Sequence, residues 1–190
     1  MSSTERVTSP LPAVYDAESC VLILGTLPSP KSRERGFHYG NPQNRFWKVM
    51  AALWQEELPQ TMEARLDLLR RHHLALHDVL ASAQIKGASD ASIKDPVPND
   101  LRPILAGAPI RRIFCTGTTA GRLYKRYLEP NLGVSCTVLP STSPANARWR
   151  LDDLVEAYAV VRETVEDEGL ATIRDMEAFG RIVPEGEGRP

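Results

Sequence analysis

The segment Cys20-Val21-Leu22-Ile23-Leu24-Gly25 decides the fold of this chain. It is short, apolar and β-rich, and it ends at a glycine, which indicates a strand buried inside a parallel sheet. The residues after it, 26–45, combine prolines, hydroxyls, amides and basic side chains, which an ordinary link to a helix does not need. Ligands of open α/β sheets bind at the carboxyl ends of the strands. We therefore expect this polar loop to form part of a binding site.

The rest of the chain alternates between strand-like and helical patterns. Further strands are predicted at about residues 74–80, 112–117 and 135–139, and helices at about residues 43–54, 60–72, 99–106, 118–128 and 146–166. Residues 87–98 have the composition of a polar loop. Strands separated by helices predict an α/β fold of the three-layer α/β/α type, with a central four-stranded parallel sheet.

Length and composition predict one domain. A chain of 190 residues, 42% hydrophobic and 25% charged, has the values of a single globular domain. We assign the α/β domain to residues 13–183, a flexible arm to residues 1–12 and a disordered tail to residues 184–190. The net charge of −1 gives no overall attraction to nucleic acid, although a local basic patch can suffice.

The sequence also limits the compartment and the metal chemistry. The first residues are polar and lack the apolar core of a signal peptide, and no segment has the length of a membrane span, so we expect a cytoplasmic protein with no membrane partner. Cys20, Cys115 and Cys136 lie far apart and form no Cys-x-x-Cys pair. We interpret them as small buried apolar residues in a reducing compartment, and we expect no metal site.

Three polar loops follow predicted strand ends, at residues 26–45, 116–122 and 140–150, and in a parallel sheet they converge on one edge. Each loop carries basic residues, which fit either a solvated surface or an edge that faces a polyanion. The third loop contains Pro140-Ser141-Thr142-Ser143-Pro144-Ala145-Asn146, whose donors could hold a phosphate or a strand backbone. Capping of the following helix by Ser143 and Pro144 explains only part of this pattern.

These residues carry a resemblance to a known family. Gly25-Thr26-Leu27-Pro28-Ser29 with Tyr39-Gly40-Asn41-Pro42-Gln43-Asn44-Arg45-Phe46-Trp47 resembles the first motif of the uracil-DNA glycosylase superfamily. Its second half is also similar to the mismatch-specific uracil and thymine DNA glycosylases. Residues 140–146 resemble the second motif of the hypoxanthine-DNA (deoxyinosine) glycosylase branch, and residues 77–80 and 87–93 are similar to that branch too. The resemblance spans about residues 20–160, and the two motifs occur in the family's order and spacing.

The resemblance implies a monofunctional DNA glycosylase of base-excision repair. Such an enzyme hydrolyses the N-glycosidic bond of a flipped-out base through an oxocarbenium-like state. It requires no cofactor and no strong nucleophile, and we see no lysine placed for Schiff-base chemistry. The implied partner is double-stranded or single-stranded DNA with a deaminated base, bound by a monomer in the cytoplasm, at the nucleoid of a prokaryote.

The resemblance also implies roles for particular residues. Asn44 matches the catalytic asparagine of the deoxyinosine branch, although capping of the next helix would equally explain an asparagine there. The implied base-binding residues are Thr26, Leu27, Ser29, Tyr39, Ser89 and Asp90. The implied DNA-binding residues are Ser141, Thr142, Ser143, Ala145, Asn146 and Arg148. His38 could donate a proton to the departing base, although a lone histidine is more often structural.

Several positions depart from the family pattern. Leu27 stands where many members place a water-activating Asp or Asn, Asn41 stands where the branch has His, and Gln43 stands where Arg is common. Ala145 or Asn146 replaces the intercalating leucine, so the choice among hypoxanthine, uracil and xanthine stays open. Two other interpretations also stay open: a non-catalytic protein that binds damaged bases in DNA, and an α/β enzyme acting on a small phosphorylated metabolite. The second has no Gly-x-Ser-x-Gly or P-loop pattern in its favour.

Overall fold

The computed structural model describes residues 4–87 and 89–176. Its strands are β1 (Thr4–Thr8), β2 (Val21–Gly25), β3 (Leu74–Asp78), β4 (Leu80–Lys86), β5 (Lys94–Pro98), β6 (Arg112–Thr116) and β7 (Thr137–Leu139). Its helices are α1 (Pro30–Arg35), α2 (Phe46–Leu53), α3 (Met62–Arg71), α4 (Arg102–Gly107), α5 (Thr118–Tyr127), α6 (Glu129–Leu132) and α7 (Leu151–Glu166). Short 3-10 turns cover Asp90–Ser92 and Ile173–Asp175. No helix in these ranges is long and apolar enough to cross a membrane.

The centre of the fold is a four-stranded parallel sheet in the order β3-β2-β6-β7. All five residues of β2 are buried, because successive side chains point to opposite faces and helices cover both. Leu22 and Leu24 pack on the side of α4 and α5, while Val21 and Ile23 pack on the side of α2, α3 and α7. This arrangement confirms the predicted three-layer α/β/α fold.

A second, three-stranded antiparallel sheet in the order β1-β4-β5 was not expected from the sequence. The segment 74–80, predicted as one strand, is divided at Val79: β3 belongs to the parallel sheet, and β4 turns away to pair with β1 and β5. The prediction of a loop over residues 87–98 is wrong for β5. Its prolines lie on an edge strand, where a missing N–H donor is tolerated.

The prediction of a flexible arm over residues 1–12 is wrong for residues 4–8, which also form a strand. Residues 4–8 form β1, which pairs with β4 from Thr4–Lys86 to Thr8–Ser82, and Arg6 donates a 3.0 Å hydrogen bond to the Ser82 hydroxyl. The strand is polar except for Val7, its one buried side chain, so backbone pairing stabilises it without a sequence pattern. The predicted tail, 184–190, lies outside the described residues.

Two helices also differ from the prediction. Helix α1 lies inside the segment that we expected to be a loop: the Ser29 hydroxyl caps it, Pro30 begins it, and Gly36 ends it with a φ of 71°. Helix α7 begins at Leu151, with Arg150 and Asp153 at its start, so Ser143 and Pro144 do not cap it. The three cysteines are free thiols; Cys20 and Cys115 are buried and Cys136 is partly buried.

Candidate active site

A cavity of about 950 Å³ opens at the carboxyl end of the parallel sheet. Every residue that the sequence singled out for the site lines it: Thr26, Leu27, Ser29, Tyr39, Asn44, Ser89, Asp90, Ser141, Thr142, Ser143, Ala145, Asn146 and Arg148. The strand order brings these residues together, because the loops that follow β2, β6 and β7 leave the sheet at the same edge.

The side-chain oxygen of Asn44 is fully occupied inside the protein. Oδ1 accepts a 2.9 Å hydrogen bond from the backbone N–H of Phe46, the first residue of α2, and a 2.8 Å hydrogen bond from the hydroxyl of Thr142. The first contact shows that Asn44 does help to cap α2. Within the described ranges, Nδ2 of Asn44 has no hydrogen-bond partner, and Asn44 lines the cavity. Asn44 therefore offers N–H donors to a ligand and no free acceptor.

Arg45 holds the loop after β7 against the loop after β2. Its guanidinium donates to backbone carbonyl oxygens of that third loop, and its own backbone N–H donates to Thr142 O at 3.1 Å. The guanidinium acceptors are Thr142 O at 3.4 Å, Ser143 O at 2.8 Å, Asn146 O at 3.1 Å and Trp149 O. Arg45 is one of the basic residues of the first loop, which fit either a solvated surface or an edge that faces a polyanion. In the structure its guanidinium instead binds the carbonyl oxygens of the third loop.

Further internal contacts fix the third loop itself. Asn146 Nδ2 donates to Ser141 O at 3.0 Å, the Ser141 hydroxyl accepts the Ser143 N–H at 3.2 Å, and the Ser143 hydroxyl accepts the Ala145 N–H at 3.3 Å. Gly117, with a φ of 98°, lets Ser141 approach, since a Cβ at that glycine would lie 3.2 Å from the Ser141 Cβ. Of the loop's predicted DNA-contact residues, Thr142 is almost completely enclosed, with 1% of its surface exposed.

Tyr39 forms one wall of the cavity. Its ring stacks on Phe46 with centroids 3.8 Å apart and an interplanar angle of 10°, and its hydroxyl lies 3.1 Å from the Thr116 hydroxyl. Burial raises the pKa of Tyr39, so the phenol stays protonated. The φ of 53° is unusual for a residue other than glycine and holds the ring in this position. Phe46 covers one face of the ring, and the part of Tyr39 that stays exposed lines the cavity, where a planar ligand could contact it.

The remaining predicted base-binding residues surround this wall. Thr26 is buried, and Leu27 is partly buried against the apolar cluster on the side of α4 and α5. The Ser29 hydroxyl accepts the Ser32 N–H at 3.2 Å and thereby caps α1. Ser89 and Asp90 are exposed at the 3-10 turn before β5. Of this group, Thr26 is the most deeply buried, and Ser29 is fixed by its capping hydrogen bond.

A pair of ionisable residues, His38 and Asp78, also lines the cavity. The sequence offered His38 as a possible proton donor and assigned no role to Asp78. His38 Nδ1 lies 3.4 Å from Asp78 Oδ2, and His38 Nε2 donates to Pro12 O at 2.9 Å. Their exposed fractions are 3% and 5%. Burial disfavours the charged form of His38, but the Asp78 carboxylate and the Pro12 carbonyl outweigh it and raise the pKa of His38. The signal available in the sequence was a carboxylate inside the otherwise largely apolar segment 74–80.

The expected role of His38 changes as a result. Both ring nitrogens face protein acceptors, so His38 has no nitrogen free to donate a proton to a departing base. His77 packs edge-on against the His38 ring at 6.3 Å, and burial lowers the pKa of His77.

His38, His77 and Asp78 are also the residues whose chemistry could suit a metal. Their donor atoms lie within 4.8 Å of one another. Ligands of a tetrahedral Zn²⁺ stand about 3.3 Å apart, given bond lengths of roughly 2.0 Å. His77 and Asp78 are neighbours on one strand, so their side chains leave it in opposite directions and the cluster would have to contract. The contact between His38 and Asp78 is better explained by a shared proton.

The chain belongs to the uracil DNA glycosylase superfamily, because the family model described as "Uracil DNA glycosylase superfamily" matches residues 12–165. A relative from Methanosarcina acetivorans named hypoxanthine DNA glycosylase is 35% identical over 153 residues, which cover 80% of this chain and 96% of the relative. A protein of the same name from Methanosarcina barkeri is 32% identical over 139 residues, or 72% and 87% of the two chains.

The solved structures agree with this assignment. A solution NMR structure of a Methanosarcina acetivorans protein, named as a candidate uracil DNA glycosylase, is similar to this chain with a TM-score of 0.70 and 34% identity. The match covers 81% of this chain and 96% of that one. These comparisons confirm the family resemblance that the two motifs indicated.

Proposed function

We propose that this protein is a monofunctional DNA glycosylase that removes a deaminated base from DNA, with hypoxanthine as its principal substrate. The observation that carries the proposal is the amide of Asn44, with unpaired N–H donors, in the same cavity as the ring of Tyr39 and bounded by both motif loops. The names of the two relatives support hypoxanthine over uracil and xanthine.

The proposed reaction begins when the damaged nucleotide leaves the base stack and its base enters the cavity beside Tyr39. The bond between C1′ and the base nitrogen breaks, and its electron pair leaves with the base. A water oxygen then bonds to C1′ of the oxocarbenium-like sugar and loses a proton, which passes through solvent to the nitrogen of the departed base. Asn44 contributes its Nδ2 donors, which can hold the attacking water through a lone pair or stabilise charge on the departing base. Catalysis therefore rests on positioning, because an amide is not a base.

The third loop is proposed to hold the DNA backbone on either side of the damaged nucleotide. Ser141, Ser143, Ala145, Asn146 and Arg148 are the contact residues in this account. Thr142 is buried and bonded to Asn44, so we assign it an indirect role through that amide. We also propose that the protein acts as a monomer in the cytoplasm of a prokaryotic cell, where chromosomal DNA would be its substrate.

The direct test uses labelled duplexes with one deoxyinosine, one deoxyuridine or one deoxyxanthosine, with single-stranded forms beside them. Hot alkali cuts the abasic sites that excision leaves. We expect cleavage at deoxyinosine by the wild-type protein and none by Asn44→Ala. Binding without excision on every substrate would instead identify a damaged-base sensor. The affinity of a DNA-binding enzyme for the duplexes falls steeply as the salt concentration rises. Duplex affinity that does not change with salt would instead favour an enzyme that acts on a small phosphorylated metabolite.

A further inference from the structure

One face of the antiparallel sheet β1-β4-β5 carries a row of exposed cations. Paired residues on antiparallel strands point to the same face of a sheet. The pairing of Gln84 with both Arg6 and Lys94 therefore places these three side chains in one row across the three strands. Lys86 lies two residues beyond Gln84 on β4, so it joins the same face, where its partner is Thr4. Arg6, Lys86 and Lys94 are exposed and form the basic face of this sheet.

The cations of the basic face are not neutralised by the protein. Glu5 is paired with Ile85 and so faces the other side of the sheet. Across residues 4–87 and 89–176, the three cations form no ion pair, not even with nearby Asp95, and Arg6 donates to the neutral Ser82 hydroxyl. The other residues that the pairing assigns to this face are uncharged: Thr4, Thr8, Ser82, Gln84 and Val97. Because acidic and basic residues are almost equal in number, 24 and 23, this face is unlike the average surface of the chain.

The basic face lies at the end of the sheet that borders the cavity. Lys86 ends β4 and Lys94 begins β5, and the connection between them lines the cavity through Ser89. The Ser92 hydroxyl fixes this connection, since it accepts the Lys86 N–H at 2.8 Å and donates to Ser89 O at 2.6 Å. The inner face of the same sheet reaches the cavity through Val7. A ligand that fills the cavity and extends beyond it on this side therefore meets the basic face.

The third loop lies on the opposite side of the cavity. Strand β4 continues from β3 at one edge of the parallel sheet, whereas the third loop follows β7 at the other edge. The two edges are three strand spacings apart, roughly 14 Å. Within the basic face, Arg6 and Lys94 are two spacings apart, roughly 10 Å, which is the rise of about three nucleotides along one DNA strand. The basic face and the third loop thus lie on either side of the cavity, at distances that a nucleic-acid backbone can span.

We infer that the basic face, Arg6, Lys86 and Lys94, binds the phosphate backbone of duplex DNA on the side of the damaged nucleotide opposite the third loop. This inference rests on the proposed function, because it takes DNA as the substrate. Lysine and arginine that neutralise phosphates release counterions whatever the base sequence, so the basic face supplies affinity and orientation and no choice of base. It also provides a local attraction for a polyanion in a chain whose net charge is −1.

The salt dependence of binding tests the inference without any excision. The probes are a duplex with one central 2′-fluoro-deoxyinosine, which resists hydrolysis, and the same duplex without damage. The logarithm of the association constant is followed against the logarithm of salt concentration, from about 50 to 200 mM. Each neutralised phosphate contributes about 0.9 to the slope. The triple variant Arg6→Gln, Lys86→Gln, Lys94→Gln should therefore bind both duplexes more weakly, with slopes smaller in magnitude by about 2 to 3.

Two further variants separate the basic face from overall charge and from folding. Arg70→Gln, Lys125→Gln, Arg126→Gln removes the same charge from the last turns of α3 and α5, away from the cavity, and should keep the wild-type slope. The double variant Lys86→Gln, Lys94→Gln leaves the contact between Arg6 and Ser82 intact, so β1 keeps its support. Its slope should fall by about 1 to 2. Thermal melting establishes that each variant is folded.

The outcomes distinguish this inference from the proposed function. Wild-type slopes in the folded triple and double variants would overturn the role of the basic face, even if deoxyinosine is excised. An equal loss of slope in the control variant would overturn it as well, because the effect would then follow overall charge. A loss confined to the basic-face variants would support the role even if no lesion is excised, because binding requires no bond cleavage.

Discussion

The hydroxyl of Thr142 donates a 2.8 Å hydrogen bond to the side-chain oxygen of Asn44 and so joins the first motif to the second. The N–H of Phe46 fills the other lone pair of that oxygen, so the orientation of the amide is determined on the protein side. Thr142 is thus a positioning residue: it turns the donors of Asn44 toward the cavity, while only 1% of its own surface is exposed.

Thr142→Val should separate this positioning from folding. Valine has the shape of threonine but no hydroxyl, so the amide loses the contact that fixes its orientation. We expect excision of hypoxanthine to slow by about tenfold, and the free energy of unfolding to fall by about 1 kcal/mol, the usual contribution of one hydrogen bond. Single-turnover excision and urea denaturation measure the two effects. Thr142→Ser keeps the hydroxyl and should excise nearly as fast as wild type; a Val variant at full rate would refute the positioning role.

Arg45→Lys should loosen the second motif while conserving charge. A lysine cannot reproduce the fork of donors that contacts several carbonyls of the third loop. We expect the free energy of unfolding to fall by roughly 2–3 kcal/mol, together with weaker binding to a lesion duplex. Arg126→Lys is the matched control, because Arg126 is exposed, lies over the ring of Tyr127 and has no hydrogen-bond or ion-pair partner among residues 4–87 and 89–176. Equal stability of the two lysine variants would show that the carbonyl contacts do not hold the loop.

His38 should give the fold a characteristic dependence on pH. Its pKa is raised above 6.5 because the Asp78 carboxylate and the Pro12 carbonyl outweigh burial, with neutral His77 beside it. A group whose pKa is higher in the folded state stabilises fully below its unfolded pKa, and this stabilisation is lost as the pH rises through the folded pKa. The melting-temperature gap between wild type and His38→Gln should therefore be largest in mild acid and shrink in alkali.

NMR titration of the His38 ring provides the direct measurement. We expect a midpoint above 6.5 in the wild-type protein and a lower one in Asp78→Asn, where burial acts without the compensating charge. A wild-type midpoint below 6.5 would contradict the ion pair.

The sequence predicted the position of the site better than its internal contacts. The apolar run 20–25 and the loops after three strands place Asn44, Tyr39 and Ser141 at one sheet edge, because parallel topology leaves no other arrangement. Which donor meets which acceptor depends on side-chain directions that no periodicity encodes. From the sequence, capping of α2 and a role in the site were therefore alternatives for Asn44. In the structure, its Oδ1 caps α2 while its Nδ2 is left to donate hydrogen bonds into the cavity.

The missed elements share a physical cause. Strand β1 buries only Val7, and β5 is an edge strand with prolines, so both depend on pairing with distant β4 rather than on local hydrophobic pattern. The pair of His38 and Asp78 likewise joins a loop to a strand end far along the chain.

The central claim is that Asn44 acts through its N–H donors to remove a deaminated base, and Asn44→Asp tests it most directly. Aspartate keeps both oxygen contacts, to Phe46 N–H and to the Thr142 hydroxyl, and is a good helix cap, but it has no Nδ2. Single-turnover excision from a deoxyinosine duplex should be readily measured for wild type. For a folded Asn44→Asp variant it should be slower by about 100-fold or more, the usual loss when one transition-state donor is removed. Equal rates for the two proteins, or no excision by wild type, would contradict the account.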